Sequence, residues 1–250
     1  MEYFIETVDT IVEGVGFSYY GPLHIMWISI FIGFAIFMSV IYRKSDAKKR
    51  DKLRKIMAAA IVADEIWKVF WLTLGGNYTV DYLPLHLCSI NIFIIAYHVF
   101  KPNKVIDNFL YAACIPGALA ALLAPTWIEL PFLNFMHLHS FTIHILLATY
   151  PIMLVAGGDI VPDIKMLPKL ILFALCMAVP IYFVNLALDT NFMFLMRPDS
   201  GNPLELFEKL LGSHLWGFPI LLPVVILIMY IPILITNKIK KQHKSQEQTN

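Results

Sequence analysis

Three sets of residues in this chain have the types and spacing to do chemistry. The first is Tyr82-Leu83-Pro84-Leu85-His86-Leu87-Cys88-Ser89-Ile90-Asn91. Read as a helix opening at Tyr82, it places Cys88 about 9 Å along the axis, at 1.5 Å per residue. Cys88 and Asn91 then share a face, while His86 projects about 200° away from Cys88. A lone cysteine in an apolar run is ordinarily a small apolar filler; beside a base it becomes a nucleophile. Cys114 and Cys176 lack such neighbours and are read as fillers. The second set is Phe135-Met136-His137-Leu138-His139-Ser140-Phe141-Thr142-Ile143-His144. Here His137, Phe141 and His144 fall on one stripe, with His144 the deepest. His144 is either a helix–helix hydrogen bond or a general base facing a nucleophile. The third set is Asp64, Glu65 and Lys68, spaced so that Lys68 meets either carboxylate on one helical face. It reads as an internal ion pair or as the polar wall of a substrate cavity.

The elements that must hold these groups are membrane helices. Of 250 residues, 58% are hydrophobic and 15% charged, against about 25% charged in soluble domains. The mean hydropathy is +0.68. This apolar content excludes disorder, and three cysteines in apolar runs exclude a disulfide scaffold. A net charge of +1 gives no reason to expect nucleic acid. Seven stretches approach the roughly 20 apolar residues of a spanning helix: 21–42, 56–75, 82–100, 106–125, 133–156, 169–188 and 214–236. The fold expected is an all-α polytopic membrane protein with seven transmembrane helices in rhodopsin-like topology.

Basic charge sets the orientation, because Lys and Arg are held on the cytoplasmic side. Sixteen of the nineteen basic residues fall on one side of such a bundle, eight of them between Arg43 and Lys55. That places the N-terminus outside and the C-terminus inside. Residues 1–20 are then an extracellular interfacial segment, with Phe4, Val8, Ile11, Val12 and Val15 near one face of a short helix. Its acidic residues Glu2, Glu6, Asp9 and Glu13 are unlike a signal peptide. Residues 21–236 form the transmembrane domain and 237–250 a basic, polar cytoplasmic tail.

Pro84-Leu85-His86-Leu87-Cys88, Thr142-Ile143-His144, Asn185 and Thr190-Asn191-Phe192-Met193-Phe194-Leu195 resemble the YwaF-type bacterial integral membrane proteins. These are similar to a eukaryotic transmembrane acyltransferase that remodels ether phospholipids. The resemblance runs from the second to the seventh helix. It implies that Cys88 carries an acyl group and that His144 assists it, in a bacterial plasma membrane. The pair His137 and His139 departs from the usual pattern.

The expectation is therefore a lipid acyltransferase or transacylase with a Cys88 thioester intermediate and a His144 base. A phospholipid or lysophospholipid is the substrate, and no cofactor or metal is required. His86, Asn91, His137, Asn185, Asn191 and Glu65 are the candidate substrate-binding residues. Asn91, Asn185 or Asn191 would donate to the oxyanion, and Asn, His, Phe, Leu and Ile would line an amphipathic cavity. A transporter or receptor is the alternative, in which the same polar groups line a path between helices broken at prolines. A retinal protein is disfavoured because 214–236 contains no lysine. A zinc hydrolase built on His137, His139, His214 and Asp81 matches no ligand spacing.

Overall fold

The computed structural model describes residues 3–198 and 203–247, which are helical throughout their ordered elements. Helix α1 (Pro22–Lys44) starts on a proline, which suits a first turn that needs no N–H there. It ends on Arg43 and Lys44, whose charge complements the C-terminal dipole. Helix α2 (Ala47–Leu74) follows after a short turn, capped by Asp46, whose carboxylate accepts the Lys49 N–H at 2.8 Å. Met57, Ile61, Glu65, Lys68 and Leu72 are buried along one face of α2.

Helix α3 (Leu87–Phe100) is shorter than the sequence implied. Its start moves from Tyr82 to Leu87. Pro84 pushes the residue before it into extended backbone, and His86 caps the helix with extended φ and ψ. At 14 residues it spans about 21 Å. Helices α4 (Lys104–Phe109) and α5 (Ile115–Leu123) form one rod through a π-turn at Leu110–Cys114. The cause is local. Pro116 has no N–H for the carbonyl one turn back, and the Ile115 N–H instead reaches the Leu110 carbonyl.

Helix α6 (Phe135–Gly157) is the axis of the bundle, with buried residues along its length and α1, α2 and α5 packed around it. Asn134 caps it and Gly158, at φ +81°, closes it in the left-handed conformation. Gly157 must lack a side chain, since a Cβ there would lie 2.6 Å from the Tyr42 ring. Helices α7 (Leu167–Leu188), α8 (Pro203–Leu211) and α9 (Gly217–Glu247) complete the described chain. The backbone of α9 continues as helix through residues expected to be tail; positions 248–250 lie outside the described residues.

The core has two parts. Ile95, Leu110, Leu147, Tyr150 and Met153 lie in the larger, and Trp27, Leu122, Trp127, Leu130, Phe141 and Ile145 form the smaller. Leu172, Phe183 and Ile228 on α7 and α9 are more than half exposed, as lipid-facing residues are. Among the described residues, five segments are long and apolar enough to cross a membrane: Pro22–Lys44, Lys104–Leu123, Phe135–Gly157, Ile164–Leu188 and His214–Leu234. Leu87–Phe100 is a shorter apolar helix, and α2 begins inside a charged run.

Residues 3–20 form turns rather than the expected one-faced helix, and Val8 and Val12 are exposed. This segment is tied to the bundle end by polar contacts. Asn134 Nδ2 donates to the Tyr3 and Glu6 carbonyls at 2.7 Å each. The Phe17 N–H donates to the Ile128 carbonyl at 2.8 Å. Gly16 lies so close to that backbone that a Cβ would collide with it.

Candidate functional site

Cys88 is the second residue of α3, not a turn and a half inside it. It is half-buried and reduced. The first N–H groups of any helix have no intrahelical acceptor, and the ladder of α3 begins with the Ile90 N–H on the His86 carbonyl. Negative charge is favoured at such an end. Ser89 of the same turn and Lys68 and Glu65 of α2 lie within electrostatic reach of the Cys88 thiol. One turn on, Asn91 is buried with its Oδ1 lacking a hydrogen-bond partner among the described residues.

The α2 groups form a charged network. Lys68 Nζ and Glu65 Oε1 pair at 2.6 Å, both buried. His139 Nδ1 stands 2.8 Å from Asp64 Oδ2, and its Nε2 3.9 Å from Glu65 Oε2. Thr142 Oγ1 is 2.9 Å from Asp64 Oδ1 and 2.8 Å from the Leu138 carbonyl. Among the described residues, neither Asp64 Oδ2 nor Glu65 Oε2 finds a hydrogen bond with good direction. The network is neutral when His139 is protonated, since two carboxylates then face two cations.

The three histidines of α6 have different commitments. His137 spends both nitrogens: Trp27 Nε1 donates to Nε2 at 3.0 Å, and Nδ1 donates to the Leu130 carbonyl at 3.0 Å. His139 is held between the α2 carboxylates. His144 donates from Nδ1 to the Ser140 carbonyl at 2.6 Å, which fixes the tautomer and leaves the Nε2 lone pair for a proton. Trp127 stacks on its ring, with centroids 5.4 Å apart and planes 11° apart. The stripe of His137, Phe141 and His144 is thus realised as aromatic packing, with Trp27 stacked on Phe141 at 5.0 Å.

Among the described residues no hydrogen bond joins Cys88 to His144; each lies instead within electrostatic reach of one of two adjacent α2 carboxylates. Glu65 is in electrostatic reach of Cys88, and Asp64 of His144. A second route runs through Cys114, which is in reach of Cys88 and whose thiol donates to the Leu147 carbonyl at 3.4 Å, one turn after His144. Cys176 is exposed on α7.

The other named residues build a turn. Asn185 accepts from Thr190 Oγ1 at 2.9 Å and the Phe192 N–H at 2.8 Å, and donates to the Phe192 carbonyl at 3.0 Å. Asn191 accepts from the Met196 and Arg197 N–H groups and donates to the Arg197 carbonyl. The amides of Asn185 and Asn191, named as oxyanion donors, are therefore committed to backbone. Within the turn, Asp189, Met193 and Phe194 have φ of 55°, 58° and 57°. Such left-handed non-glycine residues cost roughly 1–3 kcal/mol each. The strained turn docks on His86: the Met193 N–H points at Nδ1 from 3.4 Å, and Phe192 packs on the ring edge-on at 5.3 Å. Two sequence elements more than a hundred residues apart meet beside Cys88. Sequence reasoning did not find Trp127, the Ser140 carbonyl or this docking, because each partner is distant or part of the backbone.

Among the described residues, no group of three or more His, Cys, Asp or Glu is placed to hold a metal. One open groove borders Lys48, Lys52 and Lys55, and a small apolar cavity lies between Phe109, Leu170 and Ile226. Neither adjoins Cys88. A model of the TMEM164 family matches residues 19–235. The chain belongs to the TMEM164 family. Together with the apolar helices, that membership makes it a multi-pass membrane protein. The match covers every helix from α1 to the apolar part of α9, and so includes all the groups described above. No curated protein and no solved structure matches the chain.

Proposed function

We propose that this protein is a membrane-embedded lipid acyltransferase that carries the acyl group on Cys88. All seven apolar stretches cross the bilayer in this reading, with the N-terminus outside and the C-terminus inside a bacterial plasma membrane. The observation that supports it is the pair of adjacent carboxylates on α2. Glu65 lies in reach of a thiol at a helix N-terminus, and its neighbour Asp64 in reach of a histidine with a free Nε2.

The chemistry balances with protein groups alone. His144 Nε2 takes the Cys88 proton, and the thiolate adds to an ester carbonyl of a phospholipid. The oxyanion is met by the N–H groups of the first α3 turn and by the Asn91 amide. The ester C–O bond breaks, the proton returns to the leaving alkoxide, and a thioester and a lysophospholipid remain. A lysophospholipid hydroxyl, deprotonated by His144, then adds to the thioester. The C–S bond breaks and the thiol is restored. The Asp64–His139 and Glu65–Lys68 pairs supply charge to this end of the bundle without a role in proton transfer. The YwaF-type resemblance supports the same assignment.

Intact-mass measurement of the purified protein, with and without neutral hydroxylamine, tests it. The expected result is a fatty-acyl adduct that hydroxylamine removes and that Cys88→Ser does not form. No adduct in wild type under turnover with phospholipid would overturn it. The transporter reading draws on the π-turn before Pro116 and the short α3, features of discontinuous helices that line a path. It predicts substrate flux that survives Cys88→Ala.

A further inference from the structure

Helix α2 presents two opposite stripes. The buried one carries Glu65 and Lys68. The exposed one begins with Lys48, Lys52 and Lys55 and continues through Ala59, Ala63, Ile66 and Phe70, all at three- and four-residue spacing. Its basic end borders an open groove of about 650 Å³ lined by α2 and its cap residue alone, where Asp46 and Asp51 stand among the lysines and Ile56 and Ala59 follow. We propose that this groove seats the headgroup of an anionic phospholipid, with one acyl chain lying along the apolar part of the same stripe.

The charges there are unevenly committed. Arg50 is locked against the Gly157 carbonyl at 2.9 Å and Asp159 at 2.8 Å. Arg54 and Lys55 share Asp51, at 3.3 Å and 2.7 Å. Lys55 holds the Asp51 carboxyl below the ordinary carboxylate range, so Asp51 stays charged and occupied. Lys48, Lys49 and Lys52 are exposed and make no ion pair among the described residues. Four lysines and the carboxylates of Asp46 and Asp51 border the groove, a net charge of +2 that selects an anion over a zwitterion. The apolar continuation selects a lipid over a free anion. From Ile56 to Phe70 the stripe runs about 21 Å, close to the length of an extended acyl chain. Ile66 is 63% and Phe70 55% exposed, so no helix of the described chain covers that track. The site is separate from Cys88, because the two stripes lie on opposite sides of α2.

Native mass spectrometry of the full chain in detergent, titrated with phosphatidylglycerol or phosphatidylcholine of the same acyl composition, tests the proposal. Phosphatidylglycerol should bind at least tenfold more tightly. Lys48→Gln with Lys52→Gln should weaken it about 25-fold, at about fivefold per charge near a membrane surface. Lys165→Gln with Lys169→Gln should leave it unchanged. Asp51→Asn should tighten it, a gain that misfolding cannot produce. Equal binding of the two lipids, or an equal loss in the Lys165/Lys169 variant, would overturn the site. Displacement of phosphatidylglycerol by glycerol phosphate at matching concentration would also overturn it, since the groove would then hold a free anion.

Discussion

The two ends of the bundle carry polar networks of similar size and unequal completeness. Helices α3 and α6 run the same way, since Glu65 beside Cys88 meets His139 near the start of α6, while His98 meets Tyr150 further on. At the far end the hydrogen-bonded groups of His98, Asn108 and Tyr42 are satisfied, while Thr149 Oγ1 and Arg54 Nε have no hydrogen-bond partner among the described residues. His98 holds the Tyr150 hydroxyl at 2.8 Å on Nδ1 and Asp107 at 2.8 Å on Nε2. Asn108 accepts from Tyr230 and from the Asp163 N–H. Tyr42 donates to Asp159, which also pairs with Arg50. At the Cys88 end, Asp64 Oδ2, Glu65 Oε2, His139 Nδ1 and Asn91 Oδ1 have no well-directed hydrogen bond among the described residues. A buried polar network with every member partnered makes one packing unique. One with unspent atoms costs stability, and chemistry is a reason to retain it. The His98–Asp107–Tyr150 set has the members of a catalytic triad but buries the hydroxyl completely, so its role is structural.

The largest expected effect separates the two ends outright. Cys88→Ala should abolish both the acyl adduct and lipid transfer, whereas Cys114→Ala, in the same core, should keep both. Equal losses in the two variants, with unchanged melting, would show that packing and not the thiol matters there.

Next in size is Lys68→Ala, expected to destabilise by about 3–5 kcal/mol, because it strands Glu65 as a buried uncompensated charge. The double variant Glu65→Leu with Lys68→Met should recover most of this. Thermal melting in detergent reads both. A Lys68→Ala loss no greater than that of exposed Lys52→Ala would mean that water reaches Glu65.

How much of this was legible differs by element. The ion pair of α2 was readable because both partners lie on one helix, where three- and four-residue spacing decides contact. Helix positions followed from apolar runs and charged turns. The start of α3 was not readable from periodicity, since Pro84 acts against a pattern that otherwise continues to Tyr82. That difference moved Cys88 to a helix terminus and changed which groups can meet an oxyanion. The roles of Asn185, Asn191 and His137 were hidden for another reason. Asn185 and Asn191 bind backbone atoms of a strained turn, and His137 binds a tryptophan 110 positions away. Residue type marked them as polar and buried; only the fold decides whether their atoms are spent.

Asn91→Leu sharpens that distinction. Its Oδ1 has no partner to lose, so a near-isosteric apolar replacement should leave melting unchanged or raised. The rate of thioester formation should fall about 100-fold, the scale of one lost oxyanion donor. A variant that melts as wild type and reacts as wild type would remove Asn91 from the site.

The smallest effect belongs to the better satisfied end. Tyr150→Phe removes one hydroxyl from His98 Nδ1 and leaves the ring to pack as before, edge-on to the imidazole at 5.8 Å. The net worth of such a hydrogen bond is about 1 kcal/mol, and His98 keeps Asp107. Melting should therefore drop by a few degrees, with acyl-adduct formation unchanged. The readout that matters is the second one. If Tyr150→Phe slowed the Cys88 reaction as much as Asn91→Leu does, the two ends would be coupled through α6. Completeness of hydrogen bonding would then no longer separate a structural cluster from a reactive one.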